Sequence, residues 1–285
     1  MHLMFKALLK YHLSSVVLSL VILLALSQRA GAEDRFITVA STTSTVASGL
    51  FDAILPIFSK TSGIAVRVIA VGTGQALRLS RNGDADALLV HHPPSERKFM
   101  AEGYGIDRRA VMYNQFLIFG PKADPAGARG ADDVLAALTL IAERSASFVS
   151  RGDNSGTHMK ELGLWRAARI DPRPGSGLWY METGSGMGAT LRMGTAMDAY
   201  GLIDRGTWLS YRNKGSLIAI FDRPDNSLRN QYSIILVNPK RHPHTKADDA
   251  RDFMDWITSP MGQSAIAAVT VGGETLFIPN ARKRK

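Results

Sequence analysis

The sequence contains no cysteine among its 285 residues. This absence excludes disulfide bonds, so we expect packing alone to stabilise the fold. It also excludes membrane tethering through a lipid-modified cysteine and every metal centre that depends on thiolate ligands.

The sequence has little net charge outside its two ends. The formal net charge is +9, but residues 1–31 hold three basic residues and no acidic one, and residues 282–285 are all basic. The rest of the chain therefore carries a net charge of only about +2. Nucleic-acid binding requires a basic surface, so we expect no nucleic-acid partner.

The longest apolar run lies near the N-terminus. Lys6 and Lys10 precede this run, Val16 to Leu26, and the small residues Ala30-Gly31-Ala32 stand before two acidic residues. This pattern predicts a secretory signal peptide over residues 1–32, cleaved after Ala32. The run is shorter than the ~20 residues of a spanning helix, which disfavours the alternative of a retained membrane anchor. An exported chain without a lipid anchor is expected to diffuse freely in the periplasm.

The segment from Phe148 to Glu161, FVSRGDNSGTHMKE, predicts a strand followed by a helix. Its first two residues are apolar and typical of the end of a buried strand. Apolar residues then recur at helical spacing, at Met159, Leu162 and Trp165. Ser155 is a good N-cap for this helix.

The turn inside this segment has the chemistry of an anion site. Backbone N–H groups and the helix dipole favour a negative ligand at a helix start, Gly156 allows its close approach, and Arg151 adds a permanent charge. An ordinary capped helix is the alternative. A second hydroxyl-rich turn favours the anion site, because Ser41 to Thr45 (STTST) follows the apolar run Phe36 to Ala40 and precedes a helical pattern from Leu50.

Strand and helix patterns alternate along the first stretch of the mature chain, through strand 86–90, as in an α/β fold. Such alternation predicts a parallel sheet covered by helices on both faces. The predicted strands are 36–40, 64–71, 86–90, 113–119, 217–221 and 231–238. Helices are predicted over 75–81, 132–143 and 248–258. Three more helices are predicted to begin at Leu50, after Ser155 and after the turn at 183–188.

Two of these strands, 113–119 and 231–238, are similar in length and both begin with polar and aromatic residues. We interpret them as two crossings between two lobes. Lobe I would then comprise residues 33–117 plus 232–285, and lobe II residues 118–231. A ligand in the cleft between the lobes is the expected consequence.

The chain carries seven motifs in order: STTST, VGTGQAL, GDADALLVHHP, EGYGIDRRAVMYNQF, SRGDNSGTH, ETGSGMGATL and DRGTWL. Together they resemble the tungstate-binding proteins of bacterial ABC uptake transporters, which have the type II periplasmic binding-protein fold. The likeness spans nearly the whole mature chain.

This resemblance implies a receptor that captures the tungstate oxyanion between two lobes and delivers it to the ABC permease in the membrane, without catalysing a reaction. We expect a monomer that uses no cofactor and binds no metal except within the oxyanion. The resemblance implies seven ligand-binding residues: Thr42, Thr43, Ser44 and Thr73 in lobe I, and Arg151, Ser155 and Thr157 in lobe II. The family usually shows TTTST where this chain has STTST, and Ser41 keeps the hydroxyl.

The arginine turn alone does not separate tungstate from phosphate, because phosphate-binding proteins of this fold also carry an arginine followed by SGT. Tungstate at neutral pH has four acceptor oxygens and no proton, so its site supplies only donors. Phosphate keeps a proton, and its receptors present a carboxylate acceptor. At the corresponding place, after strand 86–90, this chain has His91-His92, which favours tungstate and leaves phosphate, molybdate and sulfate as alternatives.

A secreted hydrolase is a further alternative, based on Ser155 and His158 as a nucleophile and a base. The surrounding sequence is not the G-x-S-x-G elbow, and both residues lie on one helix with no third group to orient the histidine.

Metal binding and dinucleotide binding have less support. The pairs His91-His92 and His242-Pro243-His244 lie beside prolines in loops, so we expect them at the surface. The turn Thr183 to Gly188 has glycines like those of a dinucleotide loop but lacks a convincing strand before it, which favours a helix start near the cleft.

Overall fold

The structure, a computed structural model, describes residues 35–282. The predicted signal peptide, its cleavage site and the last three basic residues lie outside the described residues. None of the helices in the described part has the length and apolar character needed to cross a membrane.

The described residues form an α/β fold in which strands and helices alternate through the first half. The strands are β1 (Phe36–Thr42), β2 (Ala65–Val71), β3 (Ala87–Val90), β4 (Gly105–Pro121), β5 (Phe148–Ser150), β6 (Tyr180–Glu182), β7 (Gly201–Asp204), β8 (Leu217–Phe221), β9 (Arg229–Val237), β10 (Thr270–Val271), β11 (Glu274–Thr275) and β12 (Ile278–Pro279). The helices are α1 (Thr43–Ala47), α2 (Leu50–Ser62), α3 (Thr73–Asn82), α4 (Pro93–Ala101), α5 (Val134–Glu143), α6 (Gly156–Ala167), α7 (Met187–Met197), α8 (Arg205–Ser210), α9 (Ala247–Ile257) and α10 (Pro260–Ala267).

The main sheet is mixed, with the strand order β12-β4-β9-β3-β1-β2. Strand β1 pairs in parallel with β2 and β3, as the alternation predicts. Strand β9 runs antiparallel to both β3 and β4. The parallel pairing expected for the first three strands is therefore confirmed, and the sheet becomes mixed where the long strands β4 and β9 join it in opposite directions.

Both faces of this sheet are buried. Along β3, Ala87 and Leu89 pack into one apolar cluster, whereas Leu88 and Val90 pack into another. Successive side chains of a strand point to opposite faces, so the two clusters lie on opposite sides of the sheet. This explains why the strand appears in the sequence as a continuous apolar run.

Two packed regions share the long strands. On β4, Val111 and Met112 belong to the core that covers the main sheet, whereas Phe116 belongs to a second core with α5, α6 and β7. On the other crossing, Leu228 packs in the second core and Tyr232 of β9 packs in the first. Strand β4 thus passes from one packed region to the other, and the chain passes back just before β9.

Helices α1, α3, α6 and α7 are among those that begin directly after strands or after short turns that follow strands. Helix α1 follows β1 at Thr42, α3 follows β2 at Gly72, α6 follows β5 through a turn that ends at Ser155, and α7 follows β6 through a turn that ends at Gly186. The expectation that no strand precedes the turn at 183–188 is wrong, because β6 ends directly before it. A strand of three residues is too short to show periodicity in the sequence.

Candidate functional site

The start of helix α1 is a cluster of hydroxyl groups. Thr42 is the N-cap, and its Oγ1 accepts a hydrogen bond from the backbone N–H of Thr45 at 3.2 Å. The same oxygen lies 2.6 Å from Thr45 Oγ1 and 3.1 Å from Ser44 Oγ. Thr42 is buried, Ser44 is half-buried and Thr43 is exposed. The Thr42 side chain therefore stabilises the helix start, while its two neighbours reach closer to the surface.

His91 lies against this cluster. Its Nε2 is 3.2 Å from Thr42 Oγ1 and 3.3 Å from Ser44 Oγ, and its Nδ1 is 2.9 Å from Asn230 Oδ1. The ring stacks on Tyr232 with centroids 4.7 Å apart. The side chain is 5% exposed, so the expectation of a surface position is wrong for His91. It directly follows the buried strand β3, which places it in the interior.

The protonation of His91 follows from these contacts. Burial lowers its pKa to about 4, the hydrogen bond with Asn230 opposes that change, and the charge of Arg151 lowers the pKa further. The imidazole is therefore neutral near pH 7. Asn230 Oδ1 is an acceptor, so the single proton lies on Nδ1 and Nε2 accepts hydrogen bonds from the hydroxyls of the α1 start.

Helices α3 and α6 meet at the same place. Gly156 is the first residue of α6, and a Cβ atom on it would lie 2.8 Å from His91 Cε1 and 3.0 Å from Thr73 Oγ1. Thr73, the first residue of α3, is fully buried, and its Oγ1 has no hydrogen-bond partner within residues 35–282. Only glycine allows this close approach. The starts of α1, α3 and α6 therefore converge around His91.

Arg151 lies in the turn between β5 and α6. Its Nη2 pairs with Asp153 Oδ2 at 2.5 Å, and Asp153 Oδ1 accepts a hydrogen bond from the backbone N–H of Ser155. Burial opposes ionisation of Asp153, but the hydrogen bonds from Ser155 and the charge of Arg151 hold its pKa below the ordinary value. Arg151 Nε is buried and finds no partner in the described part of the chain, so the guanidinium retains a donor for a ligand.

Ser155 caps helix α6, as the sequence predicts. Its Oγ accepts a hydrogen bond from the backbone N–H of His158 at 3.3 Å. The His158 ring accepts at Nδ1 from the backbone N–H of Asn154 at 3.0 Å. This ring contact leaves Nδ1 unable to activate the Ser155 hydroxyl, and the geometry is that of a helix cap. Thr157 is buried in the first turn of α6.

The glycine-rich turn before α7 supports the arginine turn. Thr183 Oγ1 and the backbone N–H of Ser185 both donate to the carbonyl oxygen of Arg151, at 3.1 and 3.2 Å. The prediction that this turn lies at a helix start is confirmed, with Gly186 as the N-cap.

Glu161 is a supporting residue that the sequence did not indicate. Its carboxylate accepts hydrogen bonds from Ser150 Oγ at 2.7 Å, Tyr180 Oη at 2.6 Å and Trp165 Nε1 at 3.1 Å. Ser150 Oγ in turn accepts from the backbone N–H of Gly152. Burial raises the pKa of Glu161 to about 7, against the effect of these donors. The carboxyl thereby anchors the strand that presents Arg151.

Of the other histidines in the described chain, His92, His242 and His244 are predicted from the sequence to lie at the surface. Among residues 35–282, no group of three or more His, Cys, Asp or Glu side chains is arranged to hold a metal ion. His244 is exposed, as expected, and its Nε2 lies 2.9 Å from the carbonyl oxygen of Gly83.

Known proteins and protein families match most of the chain. A family model described as PBP superfamily domain matches residues 27–261. The chain is 45% identical over 251 residues to the tungstate-binding protein TupA of Peptoclostridium acidaminophilum, and the match covers 87% of this chain and 86% of that protein.

Two solved structures are also similar to the chain. The tungstate-binding protein TupA from Desulfovibrio alaskensis G20 has a TM-score of 0.77 and 44% identity, with 87% of this chain and 100% of that chain covered. The tungstate ABC transporter structure from Geobacter sulfurreducens has a TM-score of 0.73 and 47% identity, with 81% and 97% covered. The resemblance seen in the sequence motifs and the predicted binding-protein fold are thereby confirmed.

Proposed function

Since the chain belongs to the PBP superfamily, we propose that it is the substrate-binding component of an ABC uptake transporter and that its substrate is the tungstate oxyanion. The proteins described above that it resembles are named for tungstate binding or tungstate transport. On this proposal the chain captures the anion, releases it unchanged to the permease and catalyses no reaction.

The observation that carries the proposal is the buried hydroxyl of Thr73. It faces the first residue of α6 at the junction of three helix starts and lacks a partner in the described structure. A buried polar group without a partner costs free energy, so a ligand that accepts its hydrogen bond is stabilised there. The N–H groups and the dipoles of the helix starts favour an anion as that ligand.

The remaining donors suit a tetrahedral dianion. Ser44 offers a half-buried hydroxyl, Arg151 offers its unpaired Nε, and Ser155 and Thr157 place the first backbone N–H groups of α6 beside them. Four acceptor oxygens require donors from several directions, which three converging helix starts supply. Thr42 would support the site by capping the start of α1, and Thr43 would offer its hydroxyl from an exposed position.

The ligand would lie between two lobes. Lobe I comprises residues 33–117 and 232–285, and lobe II comprises residues 118–231. Support comes from the change of apolar cluster along β4 between Met112 and Phe116, and from the passage of the chain out of the second core before β9. Closure of the lobes would remove water and strengthen each charge-assisted hydrogen bond.

The place of action follows from the N-terminal pattern. A signal peptide over residues 1–32 would direct the chain to the periplasm, where the cysteine-free mature protein diffuses as a monomer. Its partner is the membrane permease of the transporter. A membrane-fraction assay tests this step, because a retained anchor would leave the protein with the membranes.

Hydrogen phosphate is the second candidate substrate, and one observation favours it. Neutral His91 presents an acceptor at Nε2, which would suit an anion that brings its own proton. Molybdate and sulfate share the charge and shape of tungstate and remain weaker candidates.

Calorimetric titration of the mature protein with tungstate, molybdate, sulfate and phosphate decides among these substrates. We expect tungstate to bind more tightly than the other three anions. Tight binding of phosphate together with no heat from tungstate would overturn the proposal.

A further inference from the structure

His91 contacts three parts of the site at once. Its Nε2 faces the hydroxyls of Thr42 and Ser44 on α1, its Cε1 lies against Gly156 on α6, and its Nδ1 is bonded to Asn230 on β9. Any anion that binds between α1 and α6 therefore lies beside this ring.

The polar network fixes the neutral tautomer of the ring. Asn230 Nδ2 donates to Asn114 Oδ1 at 2.8 Å and to Tyr232 Oη at 3.3 Å, which turns Asn230 Oδ1 toward His91. With this amide orientation, which leaves Asn114 Nδ2 without a partner among the described residues, His91 Nδ1 carries the proton and Nε2 keeps its lone pair. The hydroxyl protons of the α1 start satisfy this lone pair.

An unprotonated dianion conflicts with that arrangement. A hydroxyl that turns its proton toward an anion can no longer donate to Nε2, because it has only one proton. When Thr42 and Ser44 both turn their protons toward the anion, Nε2 becomes a buried acceptor without a donor, next to a second set of acceptors. Leaving such a group without a partner is unfavourable even before the electrostatic repulsion is counted.

The charge of the site leads to the same conclusion. Arg151 is already paired with Asp153 at 2.5 Å, so part of its positive charge is balanced before the anion arrives. A further positive charge beside a buried dianion would offset more of its desolvation. His91 is the titratable group that touches both α1 and α6.

We propose that His91 is an additional ligand-binding residue that takes up one proton at Nε2 when tungstate binds. This inference rests on the proposed function. The proton comes from solvent, the complex holds one dianion and one imidazolium, and the new N–H donates to the anion or to a hydroxyl of the α1 start. No covalent bond forms or breaks other than this N–H bond.

Burial keeps His91 neutral before the anion arrives, and the charged groups around the ring add to this effect. Most of them are cationic: Arg151 acts on its ring, and Lys160 and Arg229 line a cavity of about 360 Å³ together with His91 and His92. Two acidic groups lie further off, since Asp153 is engaged by Arg151 and buried Asp204 acts on Tyr232 behind the ring. A dianion reverses the sign of this local field and favours the imidazolium.

The coupling of anion binding to protonation of His91 also distinguishes between anions. Tungstate brings no proton, so His91 must supply a positive charge by taking one from solvent. Hydrogen phosphate brings a proton that neutral Nε2 accepts as a hydrogen bond, with no proton taken from solvent. The number of protons taken up per anion therefore depends on the chemistry of the anion.

Calorimetry in buffers of different ionisation enthalpy measures this number directly. Mature protein is titrated with micromolar tungstate from about pH 8 to about pH 6, the range that brackets ordinary histidine titration. We expect proton uptake that approaches one per anion as the pH falls. Where each anion takes up one full proton, the apparent Kd for tungstate falls about tenfold for each unit by which the pH is lowered.

Two variants and one spectrum identify the group. His91→Gln stays neutral and is expected to bind tungstate more weakly with no proton uptake. His92→Asn retains an N-cap side chain for α4 and is expected to keep the uptake of the original protein. Long-range nitrogen NMR of the original protein needs no variant. Without tungstate, the His91 ring should be protonated at Nδ1 alone, and with tungstate bound, at both Nδ1 and Nε2.

The outcomes separate this inference from the proposed function. Tight tungstate binding without proton uptake at any pH, uptake that persists in His91→Gln, or an Nε2–H tautomer without tungstate would each overturn the role of His91 alone. If no oxyanion produces heat, the proposed function fails and the role of His91 fails with it.

Discussion

Asn114 on β4 and Asn230 on β9 face each other directly in the pairing of the two long strands, and the Asn230 amide donates a 2.8 Å hydrogen bond to Asn114 Oδ1. The same Asn230 side chain holds the His91 ring at 2.9 Å. One wall of the candidate site is therefore anchored to the two strands that pass between the packed regions. A change in the geometry of these strands must move His91 relative to α1.

Gly156→Ala is expected to weaken tungstate binding and to destabilise the fold. The added methyl group would lie 2.8 Å from His91 Cε1 and 3.0 Å from Thr73 Oγ1, so the start of α6 must move away from α3 and from the His91 ring. Overpacking of this kind costs about 1–3 kcal/mol. Calorimetric affinity and thermal unfolding measure the two effects.

Gly163→Ala is the matched control for that substitution. Gly163 lies in the same helix, and a Cβ atom there would meet no other group within 4 Å among the described residues. Replacing it should stabilise the protein by about 0.5–1 kcal/mol and leave affinity unchanged. Equal effects of the two substitutions on affinity would contradict the close approach of α6 to the site.

Thr73→Val is expected to reduce tungstate affinity without destabilising the protein. Valine has nearly the shape of threonine but lacks the hydroxyl, which is buried and unpartnered in the described structure. Its removal should leave the free energy of unfolding unchanged or raise it by about 1 kcal/mol. Loss of a hydrogen bond to a charged ligand should lower affinity by about tenfold or more.

Ser80→Ala is the control that separates the effect on stability from the effect on tungstate affinity. Ser80 lies on the same helix α3, is fully buried and also has an Oγ without a partner among the described residues. We expect it to show the stability change of Thr73→Val and none of its loss of affinity. Unchanged affinity in Thr73→Val would remove Thr73 from the site.

Arg151→Ala is expected to abolish or severely weaken tungstate binding and to leave the fold intact. It removes a charged donor, worth about 1.5–3 kcal/mol, and leaves the Asp153 carboxylate unpaired beside the anion. The expected loss of affinity is therefore at least about tenfold to a hundredfold. Arg173→Ala, at an arginine that is 81% exposed, should bind as the original protein does. Unchanged affinity in Arg151→Ala would exclude the arginine from the site.

Glu161→Gln is expected to change the pH dependence of stability. The folded-state pKa of about 7 lies above the ordinary value of 4.5, so the folded protein binds a proton here more tightly than the unfolded chain does. The stabilising contribution is thus complete below about pH 4.5 and is lost as the pH rises to about 7. The glutamine side chain does not titrate, so the Glu161→Gln variant should not lose this stability as the pH rises.

Chemical denaturation of both proteins at several pH values tests that expectation. The free energy of unfolding of the original protein, relative to the variant, should fall by a few kcal/mol, on the order of 1.4 kcal/mol per unit of pKa shift, as the pH rises through this window. A difference that is constant with pH would show that Glu161 has the same protonation in the folded and unfolded states.

The start of α6 could be predicted from sequence, because its determinants are local. An apolar strand end, a serine cap and apolar residues at helical spacing all lie within one segment, and the structure places the N-cap at Ser155. Strand β8 has the predicted bounds, Leu217–Phe221, since a short apolar run between polar turns is also a local signal.

The sequence alone could not show whether Thr42 caps a helix or binds the ligand. Its hydroxyl caps α1, but helix capping and anion binding select the same residue types at the same place. The resemblance to tungstate-binding proteins indicates a ligand contact, and the hydrogen bond from the Thr45 N–H indicates a cap. Only the position of the side chain distinguishes these roles.

His91 and Glu161 required the tertiary structure. The partner of His91 at Nδ1 is Asn230, which lies 139 residues away along the chain, and a partner of Glu161 is Tyr180 on another strand. The burial of a polar side chain depends on such distant partners, which leave no local pattern. The one local sign for His91 was its position directly after the continuous apolar strand β3.

The pairing of Arg151 with Asp153 has a consequence for discrimination against common salts. An ion that reaches the guanidinium must compete with a carboxylate held 2.5 Å from Nη2 on the same turn. Chloride, with a single charge and no array of oxygens, gains little from that exchange. A tetrahedral dianion would contact the guanidinium and the helix starts together, so we expect the paired carboxylate to disfavour monovalent ions more than tungstate.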